Sequence, residues 1–339
     1  ANLSSNLTIR TKILYSVEKV FGLKRQTCAM FRDYLHLRDQ IRYFNLTDRE
    51  DRILQRARPA LLMRKQAIDT GSPPIGSSKI GGDPDLPPDF TWRTHKQMPL
   101  TFVAQFKLSD LATAMQTTLA RVLPEQRPLF DLSAIPTKAD TNQPHLPEQG
   151  MLYFFYEASH LPYADTDGWQ VTYHLSEDPA DLIRISHPQG ETDTYPVRPF
   201  PERAIAFQKQ LTIPRELYSS YETRPRFGNL AYTELWSAHR QRPHYTIYGD
   251  PYTIQEDVLH TCIMQQAGIK PAGKRYTYTA EQQQHIESCR QEWQFLFQIG
   301  SDWDTHMSWG DMGFLYVCIP KISLAERRFE DCWVVIQSH

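Results

Sequence analysis

Nothing in this sequence supplies the usual apparatus for chemistry on nucleotides or acyl groups. No GxGxxG or GxxxxGK(S/T) run occurs. The paired Gly81-Gly82 falls in a proline-rich loop rather than between a strand and a helix, so the common phosphate-cradling loops are excluded. There is no GxSxG elbow, and no cysteine or Ser-x-x-Lys pair stands in a nucleophile's setting. An excess of one charge sign is missing too. The 37 lysines and arginines face 39 aspartates and glutamates, interspersed rather than blocked, so nothing directs the chain to nucleic acid or to an anionic membrane surface.

Long apolar runs are absent. Met151 to Tyr156 and Trp333 to Ile336 fall far short of the roughly 20 residues that span a bilayer. Cysteine is scarce and odd in number: five residues, Cys28, Cys262, Cys289, Cys318 and Cys332, with no CxxC pair. A chain of 339 residues can bury a core without covalent staples, so reduced thiols in a cytoplasm are expected. Arg10, Lys12, Glu18 and Lys19 interrupt any signal-peptide core. Because the chain starts at Ala1, a periplasmic protein whose signal was removed upstream is the alternative.

What is present is a change of rhythm along the chain. From Leu7 to about Ile68 apolar residues recur at helical spacing (Ile13, Val17, Val20, Phe21; Met30, Tyr34, Ile41, Phe44), which predicts three helices. Thr47 with Glu50 resembles a capping box opening the third, which carries Ile53, Leu54, Ala57 and the Leu61 to Met63 cluster, with Pro59 kinking it. From Gly71 to Pro88 the chain is turn-rich. Short strand-like runs follow: Leu100 to Phe106, Met151 to Tyr156, Trp169 to His174, Tyr245 to Tyr248, Trp293 to Ile299, Gly313 to Ile319 and Trp333 to Ile336. Four elements recur in one order. Gly82-Asp83-Pro84, Phe102-Val103-Ala104-Gln105, Gly150-Met151-Leu152-Tyr153 and Trp169-Gln170-Val171 are echoed by Gly249-Asp250-Pro251, Phe295-Leu296-Phe297-Gln298, Gly313-Phe314-Leu315-Tyr316 and Trp333-Val334-Val335.

The expectation is an α+β protein with N-terminal helices (1–70) followed by antiparallel β-sheets (71–339). The sheets are read as two duplicated lobes, 71–190 and 245–339, around an insertion at 191–244.

Several segments, in their order and spacing, resemble the YwqG-like family of bacterial proteins of unknown function. They are Ser78-Lys79-Ile80-Gly81-Gly82 through Asp85-Leu86-Pro87, Pro99 to Gln105, Leu146-Pro147 with Gly150 to Phe155, Gly168 to Tyr173, Phe297-Gln298-Ile299 with Ser301-Asp302, and Trp309 to Tyr316. Gly300 stands where that family usually has an acidic residue, and 191–244 is idiosyncratic. The resemblance implies an α+β fold on antiparallel sheets. Its members are similar to immunity proteins of bacterial competition systems, type VI secretion included, so a cognate protein toxin is the partner it implies.

The residues offer two candidate surfaces. Asp302, Asp304 and Asp311, interleaved with Trp303, His306 and Trp309, could hold a divalent cation or share acid/base work as a metal-dependent hydrolase. They read more simply as a turn whose aspartates cap main-chain amides. Asp165-Thr166-Asp167-Gly168 lacks the closing glutamate of a Ca²⁺ loop and reads as a hairpin turn. His260-x-Cys262, read as a strand, and His285-x₃-Cys289, read as a helix, have ligand chemistry without a standard zinc spacing. The stretch from Tyr218 to Tyr248 concentrates Arg224, Arg226, Phe227, Tyr232, Trp236 and Arg240, residue types enriched at interface hot spots. A binding protein without metal or cofactor is expected, with these six residues and Asp302, Trp303, Asp304, Trp309 and Asp311 as its contacts. A structural or regulatory protein-binding module is the remaining alternative.

Overall fold

The computed structural model describes residues 31–67, 71–117, 145–158, 168–188, 199–215, 230–238, 245–269 and 278–339. The first predicted helix lies outside them. The second is α1 (Tyr34–Tyr43), started by Asp33, whose Oδ1 accepts from the His36 amide at 2.8 Å. A 3₁₀ turn, Thr47–Arg49, leads into α2 (Glu50–Arg56). The predicted capping box does not form: no side chain caps either start, and Glu50 instead takes Arg38 at 2.6 Å and Arg42 at 3.5 Å.

The third helix also ends sooner than predicted, because Ala57 turns extended and the Leu61 to Met63 cluster belongs to a strand, β1 (Arg58–Lys65). Ala60 to Met63 are buried, with Leu61 and Met63 facing one cluster and Ala60 and Leu62 another. A strand covered on both faces loses its period of two and reads as an undifferentiated apolar run. Pro59 is tolerated near the strand's start, where β1 pairs only one neighbour.

The remaining elements follow in chain order: β2 (Lys79–Ile80), β3 (Asp85–Leu86), β4 (Thr94–His95), β5 (Met98–Pro99), β6 (Thr101–Lys107), α3 (Leu108–Gln116), β7 (Met151–Tyr156), β8 (Trp169–His174), β9 (Ile183–Arg184) and β10 (Arg203–Thr212). After these come α4 (Leu230–Ala238), β11 (Tyr245–Tyr248), α5 (Val258–Gln266), α6 (Ala280–Arg290), β12 (Trp293–Gly300), β13 (Phe314–Pro320), α7 (Lys321–Ala325) and β14 (Trp333–Gln337). All the predicted strand runs are strands. Two expectations are corrected. The 191–244 region is no simple insertion, since it supplies β10, and His260-x-Cys262 lies on α5, capped by Asp257.

Ten strands form one sheet in the order β14-β13-β12-β11-β1-β10-β2-β6-β7-β8, with β3–β9 and β4–β5 as two small pairs. Every pairing is antiparallel, which makes the fold α+β. The sheet rolls nearly into a barrel. All ten strands send side chains into one inner core, for example Leu61, Phe106, Phe154, Phe297 and Val317. Its two edge strands also meet, with the Trp169 and Trp333 rings 5.1 Å apart.

Outside the roll, α1, α2 and α4 pack on the end of β10, α5 and α6 on β12 to β14, and the Phe90–Trp92 loop on β6 and β7. Among the described residues no helix is long and apolar enough to cross a membrane.

Candidate protein-interaction site

The acidic loop after β12 is a tightly held turn. Ser301 Oγ donates to the Gly313 carbonyl at 3.0 Å and accepts from the Trp309 amide at 2.9 Å. Gly313 is required there, since a Cβ would lie 2.0 Å from the Trp309 oxygen. Asp302 is buried, and its Oδ1 accepts from the Asp304 amide at 3.0 Å. Its Oδ2 receives Lys65 Nζ at 2.6 Å and the Tyr245 hydroxyl at 2.7 Å. The same ammonium holds Asp304 Oδ2 at 2.6 Å, and Arg203 donates to the Asp304 carbonyl at 3.2 Å. Lys65 therefore keeps the exposed Asp304 carboxyl below the usual range, while burial pushes the Tyr245 hydroxyl up.

The outcome is a fixed platform that lifts one large side chain into solvent: Trp303 is 83% exposed. Trp309 is fully buried against Tyr156 and Phe200 and cannot be a contact. Asp311 is exposed, and its main-chain carbonyl accepts from the His339 amide at 3.0 Å. Among the described residues no three of His, Cys, Asp or Glu converge as a cation site, Asp302, Asp304, Asp311 and His306 included.

The second predicted surface divides. Arg224, Arg226, Phe227 and Arg240 lie outside the described residues, as do Asp165 to Asp167. Tyr232 and Trp236 are on α4 and pack inward. Tyr232 is buried and donates to the Pro214 carbonyl at 2.6 Å, and Trp236 stacks on Tyr252 with ring centroids 4.8 Å apart. Tyr232 is thus core rather than interface. The zinc-type pairs stay apart: His285 Nε2 lies 3.6 Å from Cys289 Sγ on α6, while His260 packs on Tyr278.

Two features were not anticipated from the sequence. One is a buried ionic cluster. Lys79, with no exposed side-chain surface, reaches Glu202 at 2.8 Å and Asp85 at 3.5 Å, and Arg184 Nε meets Asp85 at 2.7 Å. Burial raises the Asp85 carboxyl, but Arg184, Lys79 and Gln105 outweigh it and hold the group low. The other is a cleft of about 650 Å³ along the seam between the sheet edges, lined by Trp169 to Tyr173 and by Phe329 to Trp333, with Arg93 and Arg327 among its other residues.

Residues 78–129 and 124–338 match the model of a family described as a domain of unknown function, DUF1963. The chain belongs to that family. The DUF1963 match takes in the turn, the ionic cluster and most of the seam, yet it begins after β1, the strand at the middle of the sheet. No curated protein matches the chain. The signal that could have flagged the ionic cluster is a lysine in an apolar dipeptide strand, Lys79-Ile80, followed within six residues by Asp83 and Asp85.

Proposed function

We propose that this protein works by binding another protein, as an immunity protein holding a cognate bacterial toxin. The observation that supports binding is Trp303, an exposed tryptophan on a turn whose flanking residues, Asp302 and Thr305, are buried. Tryptophan is among the residue types most often dominant at interfaces, and a turn whose main chain is already fixed loses little entropy on docking. Both carboxylates beside it are engaged by Lys65, which argues for display rather than acid/base chemistry. The direction toward a toxin comes from the YwqG-like resemblance carried by Ser78 to Gly82, Pro99 to Gln105 and Trp309 to Tyr316. The free thiols Cys262, Cys289, Cys318 and Cys332 support a cytoplasmic site of action.

The experiment pairs the chain with the product of a neighbouring toxin gene in a protection assay. Trp303→Ala should weaken binding about thirtyfold, equal to about 2 kcal/mol, and abolish protection while the melting temperature stays unchanged. A Trp303→Ala variant that protects fully sinks the reading.

We also infer that the sheet arose by duplication, with β10-β2-β6-β7-β8 answering β1-β11-β12-β13-β14. Supporting this, register shifts occur at Phe102/Ala104 and at Phe295/Phe297. Gln105 Oε1 accepts from the Asp85 amide as Gln298 Oε1 does from that of Tyr252, each at 2.8 Å. The Tyr153 hydroxyl donates to the Asp85 carbonyl as that of Tyr316 does to Tyr252.

A further inference from the structure

The seam between β8 and β14 has the chemistry of a strand acceptor. β8 is the last strand on its side of the sheet. The Glu157 amide donates to the Gly168 carbonyl at 2.8 Å, and the β7–β8 register continues from there without a shift. In an antiparallel ladder hydrogen-bonded pairs alternate. Gln170, Thr172 and His174 therefore bond back to β7, and the amides and carbonyls of Trp169, Val171 and Tyr173 point outward. Among the described residues none of these outward main-chain groups meets a partner. Trp169 to Tyr173 are also an unbroken run along the wall of the 650 Å³ cleft.

We propose that this cleft binds an extended, acidic peptide segment of a partner protein by adding it as a strand to β8. Three outward residues at every second position present donors and acceptors with the repeat of a strand, which a neighbouring extended chain satisfies and a compact small molecule does not. A cleft lined by five consecutive strand residues accommodates roughly 17 Å of extended chain.

The charge of the occupant follows from the rim. Arg327 lies over the Tyr173 ring at 5.8 Å, at the end of the outward run, and sets an acidic residue of the occupant there. Of the two lining carboxylates, Asp331 is already engaged by Ser323 at 2.6 Å and Arg328 at 3.0 Å, leaving Glu330. The Trp333 ring on the opposite wall offers a surface for an apolar side chain. No residue of the Trp303 turn lines the cleft, so this site stands or falls apart from that one.

The test uses the full chain and a capped octapeptide of alternating glutamate and valine with one central tyrosine, measured by calorimetry. Strand addition predicts that backbone N-methylation at alternate residues weakens binding about tenfold, while methylation at the interleaved residues changes it less than about twofold. The Val171 and Tyr173 amides should exchange more slowly with peptide bound. Arg327→Glu should weaken the acidic peptide about tenfold and favour its lysine counterpart. Absence of binding at about 1 mM peptide, loss without the two-residue period, or equal binding of N-acetyltyrosine amide overturns the proposal.

Discussion

The Trp169 indole N–H donates to the Cys332 carbonyl at 3.0 Å, and this bond fastens one edge of the sheet to the segment that leads into the other. Removing the donor while keeping an aromatic ring isolates the fastening. Trp169→Phe should lower stability by about 1 kcal/mol for the lost bond, with some added cost for the smaller ring. Urea denaturation gives the first quantity. Faster exchange of the Trp333 and Val334 amides than of the central β1 amides would locate the loosening at the seam.

The ionic cluster predicts a sharper loss. Lys79 and Asp85 have no exposed side-chain surface, so Lys79→Met leaves Asp85 and Glu202 facing Arg184 alone. Breaking such a set typically costs about 3–5 kcal/mol, and Lys79→Met should unfold well below the wild-type urea midpoint. Lys79→Met with Glu202→Gln should recover part of that loss, because one uncompensated carboxylate goes with the lysine. A double variant no better than the single would contradict the pairing.

Asp250 gives stability a pH dependence of unusual sign. It follows Gly249, whose positive φ carries the chain past Thr212, and its own amide bonds Thr212 Oγ1 at 2.8 Å. Burial pushes its carboxyl from 3.8 up to about 7, against the pull of Arg58, Thr212 and Arg56. A raised carboxyl favours the protonated folded state, so its contribution is complete below the unfolded value of 3.8 and is lost as pH rises through about 7. Asp250→Asn cannot ionise. Its urea midpoint should exceed wild type more at pH 8 than at pH 5, and a constant difference across that range would refute the assignment.

Tyr232→Phe should cost about 1 kcal/mol of stability through the lost bond to Pro214, and leave partner affinity unchanged once folding is matched. Thermal melts and the protection assay separate the two. A drop in affinity without a drop in stability would return α4 to the interface.

Strands that alternate or carry aromatics were legible: Met151 to Tyr156 and Trp293 to Ile299 are bounded by glycines or turns and have no helical spacing. β1 was not, because burial on both faces erased its period. β10 was missed for the opposite reason. Its exposed and half-buried positions, Arg203, Gln208 and Lys209 among them, make it polar enough to pass for a loop until its partner β1 is known. α5 was misread from two residues, His260 and Cys262, although Asp257 at its start is an ordinary helix cap. Within the site, Asp302, Trp303 and Asp304 were visible as a cluster. That Trp303 points out while Trp309 points in depends on Ser301 and Gly313 folding the loop back, a contact between positions no local pattern links.

The place of β1 also sets a timetable for the nascent chain. It is made before both of its neighbours, and β10 and β11 follow it by roughly 150 residues or more in sequence. An apolar strand must therefore wait, unpaired, while the intervening chain leaves the ribosome, and pairings this distant fold slowly. The window for misassembly, or for rescue by a chaperone, closes only when Tyr245 to Tyr248 has emerged and the middle of the sheet can be joined.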